Sequence, residues 1–239
     1  MAKKKIKKAE KMHAKQIEAL SEISKAVTSE LYLEDILRLI VTVTAGVMGS
    51  KICSLLLLDE KKGTLSVKAT QSVSEAYIKK APIKLGEGIS GRVAKEGKTM
   101  ISRNVKKDPL YINRKIAAKE KLCSLLSIPL KVKGKVIGVL NSYTSRPHKF
   151  TKSEIAVLTT VANQAAAAIN NTELMVKSRV IQEELEARKV IERAKEILMS
   201  QGNLNGEEAY KRMRKQSMDS RKSMREIAEA ILLAKELRK

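Results

Sequence analysis

The sequence has no tryptophan, one phenylalanine and five tyrosines. So few rings argue against a nucleic-acid reader that stacks bases across an aromatic sheet surface. They argue equally against a large aromatic cage around a cofactor. Only two cysteines occur, Cys53 and Cys123, each inside an apolar stretch. A disulfide scaffold is thereby excluded, and both thiols read as core residues rather than nucleophiles. The two histidines, His13 and His148, stand far from the cysteines and lack the spacing of a structural zinc site. Neither lies in a recognisable arrangement with a Ser or Cys nucleophile. Apolar runs such as Leu55 to Leu58 fall far short of the roughly 20 residues that cross a bilayer. No apolar segment follows the Lys-rich start as a secretory leader requires, so the expected location is cytoplasmic.

Basic residues are abundant by contrast: 48 Lys and Arg against 26 Asp and Glu give a net charge of +22. Residues 1–16 hold seven Lys and one Glu and read as a solvated tail or helix start. Ala209 to Arg225 holds seven basic residues and one acid, too few carboxylates to neutralise them locally. A surface of that sign attracts phosphate backbones and releases their counterions. A Lys-rich surface without a partner is the competing reading of the charge.

The hydrophobic period changes along the chain. Ile17, Leu20, Ile23, Val27 and Leu31 recur near 3.6 residues and predict a helix. A second helix is expected from Leu33 to Met48, ending at Gly49. Ile52 to Leu58 reads as a buried strand, Glu60 to Gly63 as a turn, and Thr64 to Thr70 as the hairpin partner. A short helix near Glu75 to Lys80 and a short strand at Thr99 to Ser102 follow. Asn104 to Glu120 reads as a loop with some helix. Leu122 to Val132 and Lys135 to Tyr143 make a second hairpin across Lys133 and Gly134. Hairpins flanked by helices indicate an α+β domain with an antiparallel sheet.

Thr151 and Glu154 form a capping box, and neither Gly nor Pro interrupts the chain from Lys152 to about Ser200. Nearly 50 helix-compatible residues suggest a coiled-coil or inter-domain helix. Near-heptad positions Val176, Val180, Ala187, Val190, Ala194 and Ile197 are interrupted by Glu183. Gln201 to Asn203 ends the helix. Asn205 with Glu208 and Ser223 with Glu226 then open two more. Three apolar faces can close a small bundle: Val190, Ile191, Ala194, Ile197 and Leu198; Ala209 and Met213; Met224, Ile227, Ala228, Ile231 and Ala234. Opposite them stand Arg188, Arg193 and Lys195, then Lys211, Arg212, Arg214 and Lys215, then Arg221, Lys222 and Arg225. Guanidinium groups suit bidentate phosphate and base-edge contacts. Solvated helix faces with i,i+4 pairs are the alternative.

Gly86, Gly88 and Gly91 match G-x-G-x-x-G, with Asp108 downstream. A dinucleotide site needs a buried strand before this motif and a long helix after it. Here Lys79 to Lys84 is polar and broken by Pro82, and the following helix stops at Gly97 after about two turns. The glycines instead permit a tight loop over a pocket. No Walker motif, kinase set or strained pair of carboxylates is present, and neither catalytic residues nor a cofactor are expected.

Arg188 to Met199 resembles the opening helix of the ANTAR domain, whose pattern there is A-K-G-x-L-M. Ala194, Lys195, Leu198 and Met199 match, while Glu196 stands where the family usually has Gly and adds an acid near Lys195. Glu207 to Met218 resembles the second block, with Met213 for Leu, a volume-conserving exchange. Met224 to Ile231 resembles the third. Residues 17–175 resemble a GAF sensor domain. That likeness rests on the strand and hairpin order, the segment from Gly86 to Val93, and the hairpin from Ile128 to Leu140. The resemblance implies a six-stranded antiparallel sheet flanked by helices, a pocket under variable loops, and a C-terminal all-α three-helix domain over residues 185–239. Residues 176–190 connect the two.

It further implies a transcription antitermination regulator that binds paired stem-loops in nascent RNA; two RNA hairpins fit a homodimer, which the long helix could supply. The RNA-contact residues expected are Arg188, Arg193, Lys195, Lys211, Arg212, Arg214, Lys215, Ser217, Arg221, Lys222 and Arg225. Ser90, Arg92, Asn104 and Tyr111 are the pocket residues expected for a small-molecule signal. A ligand-responsive helix-turn-helix DNA binder is the alternative, and an enzyme built on the sensor domain is disfavoured because no nucleophile–base pair is present.

Overall fold

The computed structural model describes residues 2–29 and 32–237, with side chains from residue 14 onward. The chain divides into two compact units, Met1–Thr172 and Glu173–Lys239. In the first, helices α1 (Ala2–Val27) and α2 (Leu33–Met48) precede strands β1 (Ile52–Asp59) and β2 (Thr64–Thr70). Helix α3 (Glu75–Ile78), strand β3 (Ile83–Lys84), helix α4 (Gly88–Glu96), strand β4 (Met100–Ser102) and helix α5 (Arg114–Lys119) follow. Strands β5 (Leu125–Val132) and β6 (Lys135–Tyr143) complete a six-stranded sheet of order β3-β2-β1-β6-β5-β4. Every neighbouring pair is antiparallel.

Both faces of this sheet are covered, which explains why β1 is a continuous apolar run rather than an alternating one. Cys53, Leu55, Leu126, Ile128 and Leu140 face α1, α2 and the start of the long helix α6 (Lys152–Gly202). Ile52, Leu56, Leu125, Val139 and Tyr143 face the opposite layer of Tyr77, Ile89, Val93, Tyr111 and Leu122. Leu37 and Ile40 are fully buried in the first layer, each contributing about 1.5–3 kcal/mol.

Three details differ from the sequence expectation. The buried face of α1 is Gln16, Ala19, Ile23 and Ala26, while Ile17 is 69% exposed. Small Ala side chains on the inner face admit close approach, and Leu20 and Val27 pack only at its margin. Leu31 lies outside the described residues. Strand β3 was not anticipated, since two residues after Pro82 carry no period. Strand β5 begins at Leu125 rather than Leu122. The Leu122 N–H donates to the Ala117 carbonyl instead, at 2.8 Å.

The second unit is built from the C-terminal part of α6 with α7 (Gly206–Ser220) and α8 (Met224–Glu236). Its core is Ala194, Met213, Ile227 and Ala228, edged by Val190, Ile191, Leu198, Met224 and Ile231. Ala234 is exposed rather than packed in it. So small a core leans on its helix caps. Asn205 Oδ1 accepts from the Glu207 and Glu208 N–H groups at 3.0 and 2.9 Å, and Glu208 accepts in return from the Asn205 N–H at 2.8 Å. Ser223 and Glu226 repeat the arrangement on α8. Thr151 and Glu154 form the expected box on α6.

Candidate nucleic-acid interface and sensor pocket

On α7, Met213 points into the bundle, so the two flanks of the helix lie about 100° to either side of it. Arg212 falls on one flank with Gln216 and Ser220. With Lys222 they rim an apolar groove of about 400 Å³ floored by Leu198, Met213, Ile227 and Ile231. Arg214 falls on the other flank, in register with Tyr210 and Met218, which are 44% and 70% exposed. On α6, Arg193 lies against α8 beside Glu196 and Lys235. The expected cations are therefore spread over several faces of the unit rather than gathered in one patch.

They also differ in how far they are neutralised. Lys195 pairs with Glu192, Lys211 with Glu207 at 2.7 Å, and Arg225 with Glu229 at 2.7 Å. The Glu229 carboxylate holds the Arg225 guanidinium above its ordinary pKa, and Glu183 and Glu186 add to that. Lys195 meets Glu192, not Glu196, and its side chain is only 23% exposed. Arg188, Arg193, Arg212, Arg214, Lys215, Arg221 and Lys222 are exposed and have no ion pair among the described residues. Ser217 is already engaged: its hydroxyl donates to the Lys222 carbonyl at 2.5 Å and ties α7 to the turn before α8. Arg221 sits in that turn with φ 55°, as the left-handed C-cap of α7. Tyr210 was not anticipated. Its signal was an aromatic residue amid the basic run, and only the fold shows it exposed beside Arg214.

In the first unit the structure brings together two of the four expected pocket residues. Ser90 accepts a hydrogen bond from Asn141 Nδ2 at 3.0 Å, and Ser90 and Tyr111 both line a cavity of about 10 Å³. Arg92 is exposed on α4. Asn104 is spent in its own loop, where Oδ1 accepts from the Lys106 N–H at 3.1 Å. Tyr77, Tyr111 and Tyr143 meet edge to face, with centroids 6.1 and 6.3 Å apart. Burial raises all three phenols well above their ordinary pKa, so they stay neutral. Lys80 Nζ lies 4.1 Å from the Tyr77 centroid, and burial brings its pKa down to about 8. Cys53 and Cys123 are buried, with the Cys53 thiol pushed up to about 12 by burial. No group of His, Cys, Asp and Glu that could hold a metal occurs among the described residues.

A family profile described as GAF domain matches residues 30–170, and one described as ANTAR domain matches residues 179–232. The Nif-specific regulatory protein of Azospirillum lipoferum is 30% identical over 148 residues, 59% of this chain and 24% of that protein. The nitrate regulatory protein of Klebsiella oxytoca is 42% identical over 57 residues, 24% of this chain and 14% of that one. The chain thus spans about a quarter, or less, of the length of these relatives. Among solved structures, the GAF domain of a phosphoenolpyruvate-protein phosphotransferase from Coxiella burnetii superposes with a TM-score of 0.63 at 26% identity. That match covers 69% of this chain and 98% of that one. Free methionine-R-sulfoxide reductase from Neisseria meningitidis gives 0.59 at 21% identity over 67% and 91%, a likeness of fold alone.

Proposed function

Because the chain belongs to the GAF family and carries an ANTAR domain behind its sensor, we propose that it is a signal-controlled regulator of transcription antitermination that binds paired stem-loops in nascent RNA. The observation that carries this reading is the set of exposed cations on the ANTAR unit that have no ion pair among the described residues: Arg188, Arg193, Arg212, Arg214, Lys215, Arg221 and Lys222. Their spread over several faces suits a folded RNA, which presents phosphates from more than one direction. Relatives bearing the names Nif-specific and nitrate regulatory protein support a regulatory role.

Two RNA hairpins call for two binding units, and a homodimer supplies them. Leu174, Ile181 and Leu185 on α6 are exposed and lie on one helical stripe, as do the exposed Val176 and Val180 on another. Pairing of such stripes between copies supports dimerisation through α6. A ligand in the GAF unit acts on this only by preferring one arrangement of α6 over another. Burial raises the Cys53 thiol, which therefore offers no ready thiolate, and this favours a regulator over an enzyme on the same fold. No helix among the described residues is long and apolar enough to cross a membrane, and the proposed site of action is the cytoplasm.

The test is binding of the full chain to a tandem-hairpin RNA across a salt series. Arg214→Ala is expected to weaken binding several-fold and to lower the salt slope by about 0.7–0.9. Arg225→Ala, whose charge is already met by Glu229, is expected to change it far less. Equal effects from the two, or tighter binding to duplex DNA than to the hairpins, would reject the site in favour of the helix-turn-helix reading.

A further inference from the structure

Hydrogen bonds between distant parts of the chain gather cations at one end of the GAF sheet. The Lys51 N–H donates to the Tyr143 carbonyl at 2.7 Å, and the Thr144 N–H to the Ser124 carbonyl at 2.9 Å. Ser124 Oγ donates to the Arg103 carbonyl at 2.8 Å. These bonds add one row beyond the ends of β1, β6, β5 and β4, so Lys51 and Arg103 stand three strand spacings apart, about 14 Å. Thr144 Oγ1 donates to the Arg146 carbonyl at 2.7 Å, which ties Arg146 to the middle of that row. Past Arg103 the chain runs beside residues 121–124, where the Val105 N–H donates to the Cys123 carbonyl at 2.7 Å. Lys106 and Lys107 thereby fall opposite Lys121. Asn104 holds the turn that presents both lysines: its Oδ1 accepts from the Lys106 N–H and its carbonyl from the Lys107 N–H.

All six side chains are exposed, and none has an ion pair among the described residues. The carboxylates close to them in the chain are turned to other partners. Asp108 Oδ1 accepts from the Leu110 N–H at 3.0 Å, Glu120 accepts from the Ser74 hydroxyl at 2.6 Å, and Glu154 is bonded to Thr151 and His148. The hairpin turns at the opposite end of the sheet do supply acids: Lys62 pairs with Asp59 at 3.7 Å and Lys135 with Glu60 at 2.7 Å. Arg103 and Arg146 add planar donors that suit bidentate contact with phosphate. Cations of one sign set along a line, with no carboxylate to answer them, match the backbone of a polyanion. A compact anion would need donors that converge on one point.

We propose that this end of the GAF unit is a second RNA-contact surface, which takes the phosphate backbone of the transcript through Lys51, Arg103, Lys106, Lys107, Lys121 and Arg146. No ring is among the six to stack a base, so the contact is with phosphates and carries no sequence preference. Recognition of the hairpins stays with the ANTAR unit, and the GAF end adds affinity that falls with salt. RNA is favoured over an anionic lipid surface because a transcript held by the ANTAR unit brings flanking backbone to the same chain. The inference rests on the RNA reading of that unit.

The full chain is bound to a tandem-hairpin RNA with single-stranded flanks across a salt series. Arg103→Ala, Lys106→Ala, Lys107→Ala and Arg146→Ala combined are expected to weaken binding about tenfold or more near physiological salt and to lower the salt slope by about 2–3. Lys61→Ala, Lys62→Ala, Lys133→Ala and Lys135→Ala combined remove the same charge from the opposite end and are expected to change affinity less than about twofold. If the first variant melts early, Lys106→Glu with Lys107→Glu takes its place, both in one exposed turn and with the same direction expected. An unchanged slope, or equal losses from the two ends, overturns the surface. So does tighter binding of the unaltered chain to phosphatidylserine vesicles than to RNA, lost on the same substitutions. Arg214→Ala separates the two claims. A loss there with none from the GAF end rejects this inference alone, whereas a loss from the GAF end with none from Arg214→Ala keeps this surface and rejects the ANTAR site.

Discussion

Arg221 is the residue where fold and function pull apart. It holds the left-handed conformation that ends α7, a place where glycine is favoured because a Cβ there is crowded. Arg221→Gly is therefore expected to leave the melting temperature unchanged or raised, by up to about 1 kcal/mol of stability, while weakening hairpin binding. A loss of both together would mean that the guanidinium serves the fold. Glycines divide in the same way. A Cβ on Gly91 would stand 2.4 Å from the Lys84 carbonyl oxygen, whereas one on Gly46 meets nothing within 4 Å. Gly91→Ala is expected to cost about 2 kcal/mol or more by backbone displacement. Gly46→Ala, in the exposed side of α2, is expected to stabilise by about 0.5–1 kcal/mol. Denaturant midpoints of the two variants check both signs. The G-x-G-x-x-G pattern thus reports a close passage of α4 under the loop from β3, and the rejection of a dinucleotide site rests on geometry as well as on its flanks.

Among the elements, the helix starts were readable and the face each helix turns to its neighbours was less so. Both ANTAR capping boxes follow from residue pairs three apart, because the hydrogen bonds they make are local. The Ser223 N–H and hydroxyl hold the Glu226 carboxyl below its ordinary value near 4.5. A carboxylate depressed in this way stabilises the fold above that value, and the benefit is lost as pH falls through the lower, folded one. Helicity of the ANTAR unit is expected to decline below about pH 4.5, and Glu226→Gln to reduce that acid step in circular dichroism, with Glu186, also held low by Lys189, accounting for part of the remainder. Glu154 on α6 follows the same sign: burial raises it, but hydrogen bonds from Thr151 and the nearby His148 outweigh this and lower it. On α1, by contrast, the large residues marked Ile17 for the core. Packing chose Gln16, Ala19 and Ala26, since helix contact is set by how closely backbones approach.

For the whole molecule the two units differ greatly in the core each can bury. The GAF unit has two extensive apolar layers, while the ANTAR unit's buried cluster is four residues with a partly exposed margin. Thermal unfolding is expected in two steps, the smaller unit melting first, and hairpin RNA is expected to raise only the first step by mass action. Calorimetry with and without RNA checks this; a single transition shifted as a whole by RNA would contradict it. Charge was a good guide to where to look, yet not to which cations are free. The net charge of +22 says nothing of Glu192, Glu207 and Glu229, each of which takes a cation from the expected set.

Read alone, the amino-acid order determined whatever depends on near neighbours: the longer helices, both hairpins and their turns, the caps, the three ANTAR blocks, and the basic composition of the last helices. The three-dimensional arrangement decided what depends on distant residues meeting. Asn141 and Ser127 sit in strands where a polar residue ordinarily faces water, and only the covering of both sheet faces reveals them as buried, with Asn141 Nδ2 donating to Ser90 Oγ from far along the chain. Likewise Arg92 and Asn104 had the right chemistry for a pocket, but Arg92 is exposed on α4 and Asn104 Oδ1 accepts from the Lys106 N–H within its own loop, so neither lines the cavity.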